Sequence, residues 1–227
     1  MNNLFKHYSV AALILSAASS AFAADTADLK VQGTLIMGSC TPTLTSGGVV
    51  DYGKISLSSM SATDVNQLGT KEITLTLTCQ TPTKAGWSIT DNRADSVIDT
   101  QPQMEGNPIP GTVDEFGLGT TVAGVRLGSY GINAANNGDP VIDGKQGYIG
   151  VSDDNGMTWG IAANGGVYSH GDGARLITFS DADGQPVEFT TASDILKVGA
   201  SVQDTTTLAI TDDTLLDGLA TISVKYL

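Results

Sequence analysis

An all-β sandwich carrying one disulfide is the fold class this sequence predicts, and three observations lead to it. Apolar residues recur with period two in many short runs, while no segment of useful length shows a helical period. Glycine supplies 27 of the 227 residues, and threonine is as frequent, a composition suited to short strands joined by tight turns. The third is a pair of cysteines in a chain that opens like an exported protein. The 41% hydrophobic content is enough for a core. With 11 basic against 24 acidic residues and a net charge of -13, the surface repels a phosphate backbone, which excludes nucleic acid as a partner.

Residues 1–23 read as a cleaved secretory signal. Lys6 gives the charged start, Val10 to Phe22 is apolar or small, and Ala21-Phe22-Ala23 fits the small-x-small cleavage pattern. The stretch falls short of the roughly 20 apolar residues a membrane span needs, and no later segment approaches one. Export gives meaning to Cys40 and Cys79. Two thiols in one exported domain most often pair, and closing a loop of about 40 residues stabilises a fold by about 4 kcal/mol in the chain-entropy view. A metal pair or a catalytic thiol is poorly served, because His170 is the one histidine beyond the signal and there is no C-x-x-C.

Along the chain, Leu29, Val31, Gly33, Leu35 and Met37 share one parity and make an N-terminal strand over 24–38. Cys40 breaks that parity across Gly38, so a bulge or bend is expected there. Ile73, Leu75, Leu77 and Cys79 alternate strictly with Thr74, Thr76 and Thr78, which puts Cys79 on a buried face. Trp87 and Ile89 follow as an inward pair. Further strands are expected around Val125 to Leu127, Tyr148 to Val151, Trp159 to Ala162, Leu176 to Phe179, Val187 to Thr190, Leu196 to Val202 and Leu208 to Ile210. Asn137-Gly138-Asp139-Pro140, Asp154-Asn155-Gly156, Asn164-Gly165-Gly166 and Asp183-Gly184 mark turns between them. Asp91 to Pro110, with three prolines, reads as a long surface excursion.

The last run, Gly218 to Leu227, alternates to its final residue, with Ala220, Ile222, Val224 and Tyr226 on one apolar face. Chain ends usually fray. A strand patterned to its terminus suggests an edge that a partner engages.

These residues carry a resemblance. The chain is similar to the subunits of bacterial chaperone–usher fimbriae, through the export signal, the alternating run Leu29-Lys30-Val31-Gln32-Gly33 before Cys40, the second cysteine Cys79, and the C-terminal strand with its penultimate Tyr226. The stretches GSCTPTLTSGGVVDYG and TLTLTCQTPTKAGWSITDNR look more narrowly like the fimbrial-like enterobacterial proteins grouped with GltF. The resemblance implies an incomplete immunoglobulin-like, pilin-type β-sandwich over 39–227, with its long excursion near 91–143 and a groove beside the C-terminal strand. A periplasmic chaperone would pair there with Ala220, Ile222, Val224 and Tyr226, delivering the subunit to an outer-membrane usher. Another subunit's N-terminal strand would then take the groove, a form of β-augmentation. An uncovered apolar edge must be capped in any case. The chain's own short candidate donor strand carries Leu29 and Val31 as its strong pegs. The implied route is periplasm, then fimbrium or cell surface, with cell adhesion as the role and no cofactor, metal or catalytic residue. The alternative is a self-contained periplasmic or cell-surface binding module for a glycan, which does not polymerise. The short N-terminal extension and the loops around Trp159 motivate it.

Rival motifs read as turns. Ser152 to Trp159 fits S-x-D-x-G-x-T-W, the Asp-box hairpin of propeller proteins, in a single copy. Asp181-Ala182-Asp183-Gly184 opens like a calcium loop but has Ala192 where the twelfth-position Glu belongs. Asp153, Asp154 and Asp172 are candidate oxygen ligands only if the fold gathers them. A Ser-His-Asp site would depend wholly on His170, and the three arginines, Arg93, Arg126 and Arg175, sit in no recognisable motif.

Overall fold

The structure is a computed structural model and describes residues 29–33, 38–135, 140–163 and 166–227. The expected signal over 1–23, the remainder of the N-terminal strand, Asn137 to Asp139 and Asn164-Gly165 lie outside the described residues. Residues 29–33 form no strand, and Leu29 and Val31 are exposed.

Eight principal strands build the body: β1 (Cys40–Leu44), β2 (Asn66–Thr83), β3 (Ala85–Asp91), β4 (Gly128–Ala134), β5 (Tyr148–Ser152), β6 (Leu176–Ser180), β7 (Phe189–Val202) and β8 (Ala220–Tyr226). One antiparallel sheet runs β1-β2-β7-β4 and is extended beyond β4 by short pairings at Phe116–Gly117 and Val167–Tyr168. The second runs from a two-residue strand at Gly160–Ile161 through β5, β6 and β3 to β8.

Alternation in β2 does what its sequence dictates. Ile73, Leu75, Leu77 and Cys79 are buried, and the threonines between them face outward. Of their partners on β7, Leu196 opposite Ile73, Asp194 opposite Leu75 and Ala192 opposite Leu77 are buried on the same side. From the other sheet Trp87 meets Phe179 at 5.2 Å between ring centroids, and Phe179 meets Phe189 edge-on at 5.3 Å. This aromatic chain fills one end of the sandwich with well-packed apolar area. Cys40 and Cys79 are bonded and lie directly opposite each other in the β1–β2 ladder. Gln80 N–H donates to Ser39 O at 2.9 Å, which makes 40/79 the non-hydrogen-bonded pair. In an antiparallel ladder that is the position of closest approach.

Three expectations are corrected. The strand expected over Val187 to Thr190 starts at Phe189 and continues into Leu196 to Val202 as one strand, β7, whose register slips between Phe189 and Thr191 and again between Ala200 and Ser201. Leu208 to Ile210 is no strand. Asp204 accepts from Thr207 N–H at 2.8 Å and caps a one-turn helix, Thr205–Leu208, and Ala209 follows in the left-handed region at φ 46. Arg126 makes a single bridge to Thr120, and the strand proper begins after it, at Gly128.

The excursion runs over the surface of the first sheet and is partly buried against it. Residues 96–115 lie over the outer face of the first sheet, where Met104 and Ile109 are buried. Outward positions there are small: Ser129 and Gly131 on β4, opposite Ser201 and Gly199 on β7. Ser129 Oγ donates to Ile98 O at 2.6 Å and Ser201 Oγ to Thr100 Oγ1 at 2.9 Å. A Cβ on Gly199 would sit 2.5 Å from Gln103 O. Small residues thus let a third layer lie directly on the sheet. Gly199→Ala must lift that layer, and overpacking of this kind costs roughly 1–3 kcal/mol. Urea unfolding of the variant checks this; an unchanged midpoint would contradict the close approach.

Candidate functional site

β8 ends its sheet. It pairs with β3 from Ala220–Asp91 to Tyr226–Ala85, and among the described residues no strand pairs with its other side. The ladder's phase is set at both ends, because Asn92 N–H donates to Leu219 O and Leu227 N–H to Lys84 O. Antiparallel pairing alternates, so Thr221, Ser223 and Lys225 spend their backbone groups on β3, while those of Ala220, Ile222, Val224 and Tyr226 point away from it. The same four residues were singled out by sequence for their side chains. Ala220, Ile222 and Val224 are half-buried against the core, and Tyr226 is more exposed.

Beside this free edge the sandwich is open. A groove of about 210 Å³ runs between β8 and the inner face of the first sheet. Leu44, Tyr52, Tyr130, Ile132 and Val198 form one wall, and Ala220 and Ile222 the other. Burial raises the Tyr130 phenol, and it pushes that of Tyr52 up to about 12. Tyr52 is fixed by donating to Val198 O at 2.9 Å, with Lys71 Nζ 5.9 Å over its ring. Toward the end of β8, beyond the groove's lining and next to the disulfide, Cys40 N–H donates to the Tyr226 hydroxyl at 2.9 Å. At the other end residues 216–219 form the groove's lip. Chemically the arrangement offers apolar pockets in line with unpaired backbone donors and acceptors, which is what an added extended strand requires.

Sequence reasoning found β8 and the disulfide but missed the wall opposite. The signal was present: Tyr130, Ile132 and Ala134 alternate with Ser129, Gly131 and Asn133. The small outward residues disguised the period, because they serve the covering layer.

The other candidates are engaged elsewhere. Asp154 closes its own hairpin: it accepts from Thr158 N–H at 2.9 Å and Thr158 Oγ1 at 2.5 Å, and from Ser152 Oγ at 2.7 Å. These bonds, Thr158's first, hold its carboxyl down at about 2. Trp159 Nε1–H donates to Gly156 O in the same hairpin. Asp153 takes a fork from Arg175 at 2.7 and 3.1 Å, and Asp172 accepts from Ala174 N–H. Among the described residues no three His, Cys, Asp or Glu side chains gather in a way that could hold a metal ion. Asp181 accepts from Asp183 and Gln185 N–H groups as a tight turn. Arg93 binds Asp217, and Arg126 donates to Val97 O. His170 Nε2 lies 3.5 Å from buried Asp114, and Arg175 Nη1 lies 3.7 Å from the same carboxylate oxygen.

Glu115 is buried at 2% exposure. Burial raises its carboxyl above the ordinary 4.5, against weaker contacts from Ser129 and the Thr100 and Gln101 backbone. A raised carboxyl means that the native state holds its proton more tightly. That stabilisation is complete below the unfolded value and is lost as pH rises through the folded one. Glu115→Gln is therefore expected to stabilise the protein by roughly 1–2 kcal/mol at pH 7 and not at all at pH 3. Denaturant titrations at the two pH values check it; an equal effect at both would contradict the assignment.

Comparison with known proteins adds relatives. Residues 29–131 match the family described as a protein of unknown function, DUF1120. The chain is 31% identical to Protein GltF of Escherichia coli K12 over 256 residues, covering 96% of each chain. It is 34% identical over 139 residues to the uncharacterized protein YhcF of the same organism, covering 57% of this chain and 58% of YhcF.

Proposed function

The chain belongs to the GltF family, and from that premise we propose that it is a fimbrial-type structural subunit or adhesin-like protein, assembled by β-strand complementation and serving cell adhesion. One observation carries the reading: the backbone groups of Ala220, Ile222, Val224 and Tyr226 face away from β3 beside an apolar groove between the sheets. An immunoglobulin-like sandwich that lacks its last strand has this form. The partner is an extended strand with alternating apolar residues, first from a periplasmic chaperone and then from another subunit delivered through an outer-membrane usher. In this reading the signal over 1–23 is cleaved on export, the protein passes from periplasm to fimbrium or cell surface, and it performs no chemistry. Leu29 and Val31 are the pegs of its own candidate donor strand. The alternative of a binding module rests on the short N-terminal extension and on the loops around Trp159; of these, the Trp159 indole donates within its own hairpin.

The test is to express the exported protein alone and together with the fimbrial periplasmic chaperone of its source cell, and to separate the products by size exclusion. The expected result is a protein that, alone, self-associates as its concentration rises, and a soluble one-to-one complex with the chaperone. Ile222→Asp places a charge on the groove wall and is expected to reduce complex yield about tenfold. A cooperative, soluble monomer that ignores the chaperone would overturn the proposal.

A further inference from the structure

Residues 209–219 cross from the first sheet to the second and end in the lip of the groove. Leu216, Gly218 and Leu219 line it, and Gly218 lies so close to Tyr130 that an added Cβ would stand 2.8 Å from the ring. The lip therefore defines the groove's open end, and its position is held from outside. Two backbone bonds attach it: Asp217 N–H to Leu118 O and Asn92 N–H to Leu219 O, both 2.9 Å. One side chain grips it. Arg93 Nε donates to Asp217 O at 3.2 Å and to Asp217 Oδ2 at 3.0 Å, while its Nη2 reaches the same Oδ2 at 2.8 Å.

The gripping residue is itself fixed. Arg93 N–H donates to Asp91 Oδ1, and the other oxygen of that buried carboxylate accepts from Gly117 N–H, each at 2.8 Å. Asp91 is also the residue opposite Ala220 in the β3–β8 ladder. The turn Asp91-Asn92-Arg93 thus ties the start of β8, the strand segment at Gly117 and the lip into one rigid corner. A fork that engages both a backbone carbonyl and a carboxylate fixes position as well as charge.

We infer that Arg93 is a positioning residue for strand binding: through Asp217 it holds the lip at the spacing that an incoming strand requires. The inference rests on the groove being the binding site. Arg93 touches no part of the groove, so its loss acts through the lip. The open end then widens and residence of the bound strand shortens.

The experiment uses the full exported protein, its Arg93→Gln and Asp217→Asn variants, and the charge-swapped Arg93→Glu/Asp217→Arg double variant. Amide hydrogen exchange at Asp217 and Asn92, the two amides that bond the lip, reports its attachment. Fluorescence anisotropy of a labelled peptide with the sequence of residues 24–38 reports the groove. Each single variant is expected to speed exchange at Asp217 and Asn92 about tenfold, leave the β2 and β7 amides unchanged, and weaken the peptide three- to tenfold, the range for a charge-assisted contact partly screened by solvent. The swapped variant is expected to recover most of both effects, which a general loss of stability would not do. Unchanged exchange in the single variants overturns the inference, as does faster exchange with unaltered peptide binding. If the wild-type protein binds no peptide, the groove reading fails separately, and exchange at Asp217 still decides whether Arg93 holds the lip.

Discussion

An antiparallel strand can satisfy only half of its backbone groups on each side, and the arrangement of β8 follows from that constraint. β3 takes the groups of Thr221, Ser223 and Lys225 and leaves those of Ala220, Ile222, Val224 and Tyr226 directed outward. Because side chains alternate with the same period, these four residues are also the ones that face the core. Apolar side chains and unpaired backbone groups therefore fall on one register. An incoming strand can answer both at once, its own alternate side chains entering the groove while its backbone completes the ladder.

The rest of the molecule holds that edge in place. The disulfide joins β1 to β2, and the amide of Cys40 beside it grips the Tyr226 hydroxyl near the end of β8. Trp87, Phe179 and Phe189 fill the closed part of the sandwich, so the opening is a local feature of an otherwise packed interior. On the far side of the first sheet the covering layer buries Met104 and Ile109 against small residues of β4 and β7. That layer stiffens the wall facing β8. At the open end the corner around Asp91 and Arg93 fixes the lip.

Much of this is legible in the sequence, and the parts that are not share a cause. Ile73 to Cys79 and Ala220 to Tyr226 show their period because one face of each is apolar and the other is rich in threonine or charge. β4 hides its period because both of its faces are covered: Ser129 and Gly131 are outward and buried, and polarity no longer marks the exposed side. The excursion reads as a loop because its prolines and weak periodicity report the lack of long strands, and they do not report burial. At Leu208 to Ile210 the apolar run is genuine, but the capping carboxylate of Asp204 turns it into one helical turn. The groove itself is a relation between elements more than 100 residues apart, such as Tyr52 and Ile222, and no local pattern contains it.

The most direct test of the central claim is residue-resolved amide hydrogen exchange along β8 in the isolated protein. The account predicts alternation: slow exchange at Thr221, Ser223 and Lys225, whose N–H groups are bound to β3, and fast exchange at Ala220, Ile222, Val224 and Tyr226. On addition of a strand-donating partner, all seven should become slow. Uniform protection along β8 in the protein alone would show that its outer edge is already paired, and would contradict the claim that the sandwich is open there.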